Sequence, residues 1–239
     1  MDGILPAAGL ASRMRGIPKF LLPTDKDYIS LLEVHISNLS NICEKIYLPT
    51  RPELAPIIKS LDFNFRNTEI PEMVTSTMCE TVNNTLSISE SDNFILIMPD
   101  TFFLGEQPYE ILDSTTDFCN LACWKIRDEQ RGKLGEVMFD KNNIVLEMVD
   151  KKPDNGFEYA WGALTFNRKL QQYINNQDPH IGYAVKESVN KGEKVSVSLI
   201  EGNYFDCGTP EEYIKLLKET LLTWKLTIFR LLFLFMMMK

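Results

Sequence analysis

Short apolar runs alternate with helical spacings through the first half of the chain. Ile4-Leu5 forms a brief strand, and Tyr28–Leu39 places Ile29, Leu32, Val34, Ile36 and Leu39 at helical spacing. Lys45–Leu48 then reads as a strand and Pro52–Leu61 as a helix, with a strand near Asp62–Ile70 and a helix over Thr77–Ser87. Asn93–Met98 (NFILIM) is an uninterrupted apolar run, the pattern of a strand buried on both faces. Alternation of this kind predicts a Rossmann-like three-layer α/β/α architecture around a mostly parallel sheet.

From Asn120 the texture changes. Leu121–Ile126, Glu136–Asp140, Ile144–Val149, Tyr159–Phe166 and Lys194–Ile200 read as strands, with Lys141-Asn142-Asn143 a hairpin turn between two of them. Helices are expected at Lys169–Asn175, Gly182–Asn190 and Pro210–Leu222. No low-complexity linker separates the halves, so residues 1–222 read as one domain with a mixed sheet whose later part forms a substrate lobe. Residues 223–239 form an apolar tail. Its longest charge-free run, Leu231–Met238, falls far short of the ~20 residues a spanning helix needs. The expectation is a helix packing in a homo-oligomer or lying on a membrane surface, with a terminal artefact as the alternative.

The composition narrows the classes of function. Hydrophobic residues at 44% and charged residues at 24% are ordinary for a globule. A net charge of −8 argues against a general nucleic-acid binder, which needs a basic footprint. The five cysteines form no CxxC pair, and the two histidines, His35 and His180, lie far apart. A zinc site or disulfide framework is therefore not expected. Free thiols in a reducing cytoplasm fit better, and Met1-Asp2-Gly3 opens no signal-peptide pattern. His35 reads as an ordinary helix residue, and no Ser-His-Asp or Cys-His constellation emerges.

The densest chemistry lies near the start. Gly3-Ile4-Leu5-Pro6-Ala7-Ala8-Gly9-Leu10-Ala11-Ser12-Arg13-Met14 runs from a strand into small residues with a cation among them. Small residues let backbone N–H groups approach a phosphate, and successive amides form an anion-binding concavity. Arg13 adds a guanidinium fork, and Pro18-Lys19-Phe20-Leu21-Leu22-Pro23 supplies a lysine beside a rigid proline. Such a loop can hold a triphosphate. For the glycine and alanines alone, a tight strand–loop–helix turn is an equally good account. The segment is neither a Walker A loop nor a GxGxxG fingerprint.

LPAAGLASRM followed by PKFLLP resembles the signature of the sugar-1-phosphate nucleotidylyltransferases, the nucleotide-sugar pyrophosphorylases. One departure is Ala11, where that family usually has a second glycine. The resemblance implies a GT-A-like nucleotidyltransferase fold. It also implies Arg13 and Lys19 as catalytic cations, and nucleotide contacts from Leu5, Ala7, Ala8, Gly9, Ser76 and Thr77. From the residues alone, Ser76-Thr77 is more often just a helix cap.

Two aspartates extend the match. Asp100 follows the buried strand, where open α/β sheets bind ligands, although alone it is equally a turn aspartate. Asp206 stands in Tyr204-Phe205-Asp206-Cys207-Gly208-Thr209-Pro210-Glu211-Glu212, whose Thr209, Pro210 and Glu212 form a capping box in their own right. In the family both aspartates are metal ligands, which implies Mg²⁺ on Asp100 and Asp206; Pro99 here replaces a family glycine. Gly135, Lys151, Lys152 and Gly162 are similar to the family's sugar-phosphate contacts, with Lys151 where many members have a glutamate. Lys151-Lys152 reads nearly as well as a solvated basic turn. The function implied is transfer of a nucleoside monophosphate from an NTP to a sugar 1-phosphate, releasing pyrophosphate. A glycosyltransferase of related fold would show D-x-D where Pro99-Asp100-Thr101-Phe102 stands. A non-catalytic nucleotide-sugar sensor is the other alternative, kept open by Ala11, Pro99 and Lys151.

Overall fold

The computed structural model describes residues 1–9, 17–61, 63–114 and 118–221. The strands are β1 (Asp2–Ile4), β2 (Ile46–Tyr47), β3 (Thr68–Glu69), β4 (Asn93–Ile97), β5 (Thr101–Gly105), β6 (Cys119–Lys125), β7 (Gly135–Phe139), β8 (Val145–Asp150), β9 (Tyr159–Asn167), β10 (Val195–Leu199) and β11 (Gly202–Asp206). The helices are α1 (Leu31–Leu39), α2 (Ala55–Lys59), α3 (Met78–Ile88), α4 (Pro108–Asp113), α5 (Gly182–Asn190) and α6 over residues 210–221.

The main sheet runs β10-β6-β9-β4-β1-β2-β3. Only β9 opposes the common direction of that row, pairing antiparallel with both β4 and β6. The sheet is thus mixed and mostly parallel, as the alternation of apolar runs predicts. Burial on both faces explains the NFILIM pattern. Ile95 and Ile97 belong to the core cluster containing α1, α2 and α4, whereas Phe94 and Leu96 belong to the one containing α3 and α5. Truncating such a residue, as in Leu96→Ala, removes a buried isobutyl group and costs about 2–5 kcal/mol.

Local chemistry sets the boundaries. Ser30 caps α1 by accepting from the Glu33 amide at 3.1 Å, so the helix starts after the apolar Ile29. In the β7–β8 hairpin, the Asp140 carboxylate accepts from the Asn142 and Ile144 amides, and Asn143 takes a left-handed φ of 60°, which asparagine tolerates well. The predicted helix over Lys169–Asn175 is a 3-10 run from Arg168 to Tyr173. The predicted strand near Asp62–Ile70 shrinks to β3. The tail over 223–239 lies outside the described residues, and among those described no helix is long and apolar enough to cross a membrane.

Three elements are absent from the sequence reading: β5, α4 and β11. The strands pair with each other alone, forming a two-stranded antiparallel ribbon that packs with α6 through Phe205, Cys207 and Leu216. The motif around Asp206 is therefore a strand end as well as the lead-in to a capped helix. Gly202 permits the ribbon to begin: its φ is +122°, and a Cβ there would stand 2.1 Å from the Leu104 carbonyl oxygen.

His35 joins this ribbon to the main body. Its ring is fully buried in α1, with Nε2 2.9 Å from the Thr101 carbonyl oxygen and Nδ1 2.8 Å from Tyr109 Oη. A carbonyl only accepts, so Nε2 carries the proton and Nδ1 accepts from the tyrosine; the ring is neutral. Burial lowers its pKa to about 4, against smaller opposing effects of the Thr101 carbonyl and Asp100. The unfolded chain protonates this group near pH 6.5, so stability is lost as pH falls from there toward 4, by about 3 kcal/mol. Urea unfolding of the native protein and of His35→Gln at pH 7 and pH 4 checks this. The stability gap between them is expected to shrink by about that amount at the lower pH; parallel profiles would contradict it.

Candidate active site

The chain turns at the carboxyl end of β1 toward β2 on one side and at that of β4 toward β5 on the other, so a crevice opens between the two strand ends. Open α/β sheets bind ligands in such a crevice. A cavity of about 590 Å³ occupies it, lined by Ala7, Ala8 and Gly9 after β1, Pro99 and Asp100 after β4, and Lys19.

The ribbon brings the two predicted aspartates together. Thr101 pairs in register with Asp206, and the Cys207 amide donates to the Asp100 carbonyl at 2.9 Å. Lys19 Nζ forms an ion pair with Asp100 Oδ2, both side chains about one-fifth exposed. Burial, and then the neighbouring Asp100 charge, hold the Asp206 carboxyl above the ordinary range; the Gly208 amide (3.0 Å), Lys19 and Lys151 act in the opposite direction. Two carboxylates side by side with one resident ammonium define an electron-rich seat for a cation.

Several supports were not evident from sequence. Phe20 anchors the 3-10 turn of Lys19 in the core, and Tyr213 Oη of α6 donates to the Pro23 carbonyl at 2.8 Å. Arg127 clamps β11 from outside: it donates to the Tyr204 carbonyl (3.2 Å) and the Glu212 carboxylate (2.8 Å), and its guanidinium lies 4.4 Å from the centre of the Phe205 ring. The one available signal was an arginine just beyond the strand Leu121–Ile126.

The remaining predicted residues divide. Leu5 is core: its side chain is fully buried and its amide donates to the Tyr47 carbonyl, so it does not line the cavity. The Ala7 amide is likewise committed to the Pro49 carbonyl. Ser76 and Thr77 line the cavity, but they also cap α3. Thr77 Oγ1 accepts from the Glu80 amide and donates to the Asn176 carbonyl, while the Ser76 amide donates to the Glu80 carboxylate. Arg13 and Ala11 lie outside the described residues. Arg51, paired with Glu53 at 2.5 Å, and Gln177 are additional polar residues on the cavity wall.

The turn after β8 serves both sides of the site. Lys151 has a left-handed φ of 48° and its charge weakly favours the ionised Asp206 carboxyl, while Lys152 borders a second cavity of about 260 Å³ together with Gly135. Gly135 has its Cβ position filled by Trp161, whose Nε1 would be 2.3 Å away. Gly162 is buried among the chain's own aromatics: Tyr204 would meet a Cβ there at 2.4 Å, and Gly162 lines neither cavity. Its glycine is explained by the close approach of that ring.

No family model and no curated protein matches the chain by sequence. Solved structures do match. A UDP-glucose pyrophosphorylase complexed with UDP-glucose superposes with a TM-score of 0.75 at 16% identity, covering 91% of this chain and 97% of its own. The inositol-1-phosphate CTP transferase from T. maritima gives 0.73 at 17% identity over 92% and 95%, respectively. The UTP-bound UGPase from Acinetobacter baumannii gives 0.72 at 17% identity over 95% and 98%. The chain has the fold of the sugar-phosphate nucleotidylyltransferases. Within this GT-A-like nucleotidyltransferase fold, the crevice at β1 and β4 is built from the chain's own Ala7–Gly9, Lys19 and Asp100.

Burial and the Asp100 charge make an ionised Asp206 oppose folding. Asp206→Asn keeps an acceptor for the Gly208 amide and removes the repulsion from Asp100. Its melting temperature in calorimetry is expected to rise above that of the native protein. A fall would show that the Asp206 charge stabilises the site instead.

Proposed function

We propose that the protein transfers a nucleoside monophosphate from an NTP to a sugar 1-phosphate or similar small phosphate, giving a pyrophosphate-linked product and inorganic pyrophosphate. The observation that carries this reading is the grouping of Asp206 with Lys19 and Asp100, which line a cavity together with the Ala7–Gly9 loop. The fold shared with enzymes named for UDP-glucose and inositol-1-phosphate chemistry supports it.

The acceptor phosphate already carries an ionised oxygen, so a general base is not needed. What the site must supply is alignment and relief of negative charge at the α-phosphorus. The Ala8–Gly9 segment lets the nucleotide approach closely; Lys19 would lie against the phosphates and withdraw charge from the departing pyrophosphate. Arg13 would add a second cation there. Lys151 and Lys152 would hold the acceptor phosphate near the same point.

Asp100 and Asp206 are suited to Mg²⁺. They offer hard oxygen donors, and the raised Asp206 carboxyl marks a place that gains from a cation. Among the described residues no group of three His, Cys, Asp or Glu could hold a metal by itself. Asp100 and Asp206 are the residues that would hold the ion. When bound, it would neutralise phosphate charge as a Lewis acid.

Pyrophosphate release measured over a panel of NTPs and sugar 1-phosphates tests the reading. Lys19→Ala and Asp100→Ala are each expected to lower kcat by at least about 100-fold, with the circular dichroism spectrum retained. Near-native rates in both variants would overturn it.

A further inference from the structure

Glu136 is a buried acidic residue to which nucleotidyl transfer gives no task. It stands on β7 with 1% of its surface exposed, and glutamate is seldom buried this far unless its oxygens are satisfied. The next residue, Val137, belongs to the core cluster of α3 and α5. By strand alternation Glu136 faces the other way, where two loops meet on its carboxylate.

One carboxylate oxygen accepts from the Gly132 amide at 2.7 Å, and the other accepts from the Asn155 side-chain amide. Asn155 passes the restraint on. Its Nδ2 also donates to the Lys152 carbonyl at 2.6 Å, and its Oδ1 accepts from the Phe157 amide at 2.7 Å. The Lys151 amide donates to the Leu134 carbonyl at 3.0 Å, on the same loop as Gly132. The backbone of both lysines is thus tied to the residues that lead into β7.

The turn needs that restraint. Lys151, Asp154 and Gly156 have left-handed φ values of 48°, 58° and 76°, and two of the three are not glycine. Such conformations persist where the surroundings over-determine them. The loop before β7 lies directly against the turn, since a Cβ on Gly132 would stand 3.0 Å from Pro153 Cα. Its other end is bound to β11: Gln130 Nε2 donates to the Tyr204 carbonyl at 2.9 Å, beside Arg127. Residues 127–136 therefore connect the strand that ends in Asp206 with the turn that carries Lys151 and Lys152.

We propose that Glu136 is a positioning residue for the acceptor phosphate, fixing the Lys151–Lys152 turn relative to Asp206 through Asn155 and Gly132. The proposal rests on the nucleotidyl-transfer reading, in which those two lysines hold that phosphate. Packing alone does not account for a glutamate here. An apolar side chain of similar size would fill the space but leave the Gly132 amide and Asn155 Nδ2 without their acceptor.

The test compares Glu136→Gln, Asn155→Ala and the double variant, in the full chain, with the NTP and acceptor that the panel selects. Glu136→Gln keeps an acceptor for the Gly132 amide but turns an NH2 group toward Asn155. Each single variant is expected to raise the acceptor KM by about fivefold or more while the KM for NTP stays within about twofold. The double variant is expected to add nothing beyond the larger single effect, because Glu136 acts through Asn155. Hydrogen exchange at residues 151–156 speeds up in the same variants, with exchange in β4 unchanged. Asn155→Ala, on the turn rather than in the sheet, carries the test alone if Glu136→Gln does not fold. An unchanged acceptor KM, both KM values rising together, or additive effects would overturn the proposal. If no member of the panel yields pyrophosphate, the nucleotidyl-transfer reading fails by itself. Calorimetric titration with glucose 1-phosphate then decides the role of Glu136: binding weakened about fivefold in both single variants upholds it, and absent or equal binding overturns it.

Discussion

Asp206 ends one strand of a two-stranded ribbon and Asp100 immediately precedes the other, so that the Asp100 charge adds to burial in raising the Asp206 carboxyl, while Lys19 pairs with Asp100. Like charges at such range are costly away from water. The surrounding fold acts to keep them there. His35 ties Thr101 to α1, Arg127 and Glu212 clamp β11 against α6, and Tyr213 holds the segment leading from Lys19. Each of these contacts is ordinary; their shared endpoint is the carboxylate pair.

The same constraint explains the division of labour around the crevice. Lys19 lines the larger of the two described cavities with the Ala7–Gly9 loop, whereas Asp150 and Lys152 line the smaller one. Lys151 stands between the two residues of that turn that line the smaller cavity. Lys151 adopts a left-handed backbone there, a conformation that costs a non-glycine residue roughly 1–3 kcal/mol and that tends to accompany function.

The sequence made the sheet legible because its pattern was redundant. NFILIM has the pattern of a strand covered on both faces, and Thr77 and Asn143 stood where a cap and a turn need them. Lys19, Asp100 and Asp206 were legible as a set from motif context, although their meeting depends on β5 and β11, which the pattern did not reveal. Those strands are five residues each, bond only to one another, and sit next to motif residues that read as loop. Leu5 and Gly162 were assigned to the site by position in a motif; burial places one in the core and the other beneath Tyr204. His35 and His180 looked isolated because their partners, Thr101 and Asp150, are remote in sequence and near only after folding.

Phosphorus-31 NMR of the native protein with Mg²⁺, an NTP and a sugar 1-phosphate tests the central claim most directly, because it reads which phosphorus is attacked. Attack at the α-phosphorus yields inorganic pyrophosphate and a two-phosphorus diester in equal amounts, growing together as both substrates decline. Release of inorganic phosphate from the γ-position, or an NTP spectrum unchanged with every base and acceptor, would contradict the account.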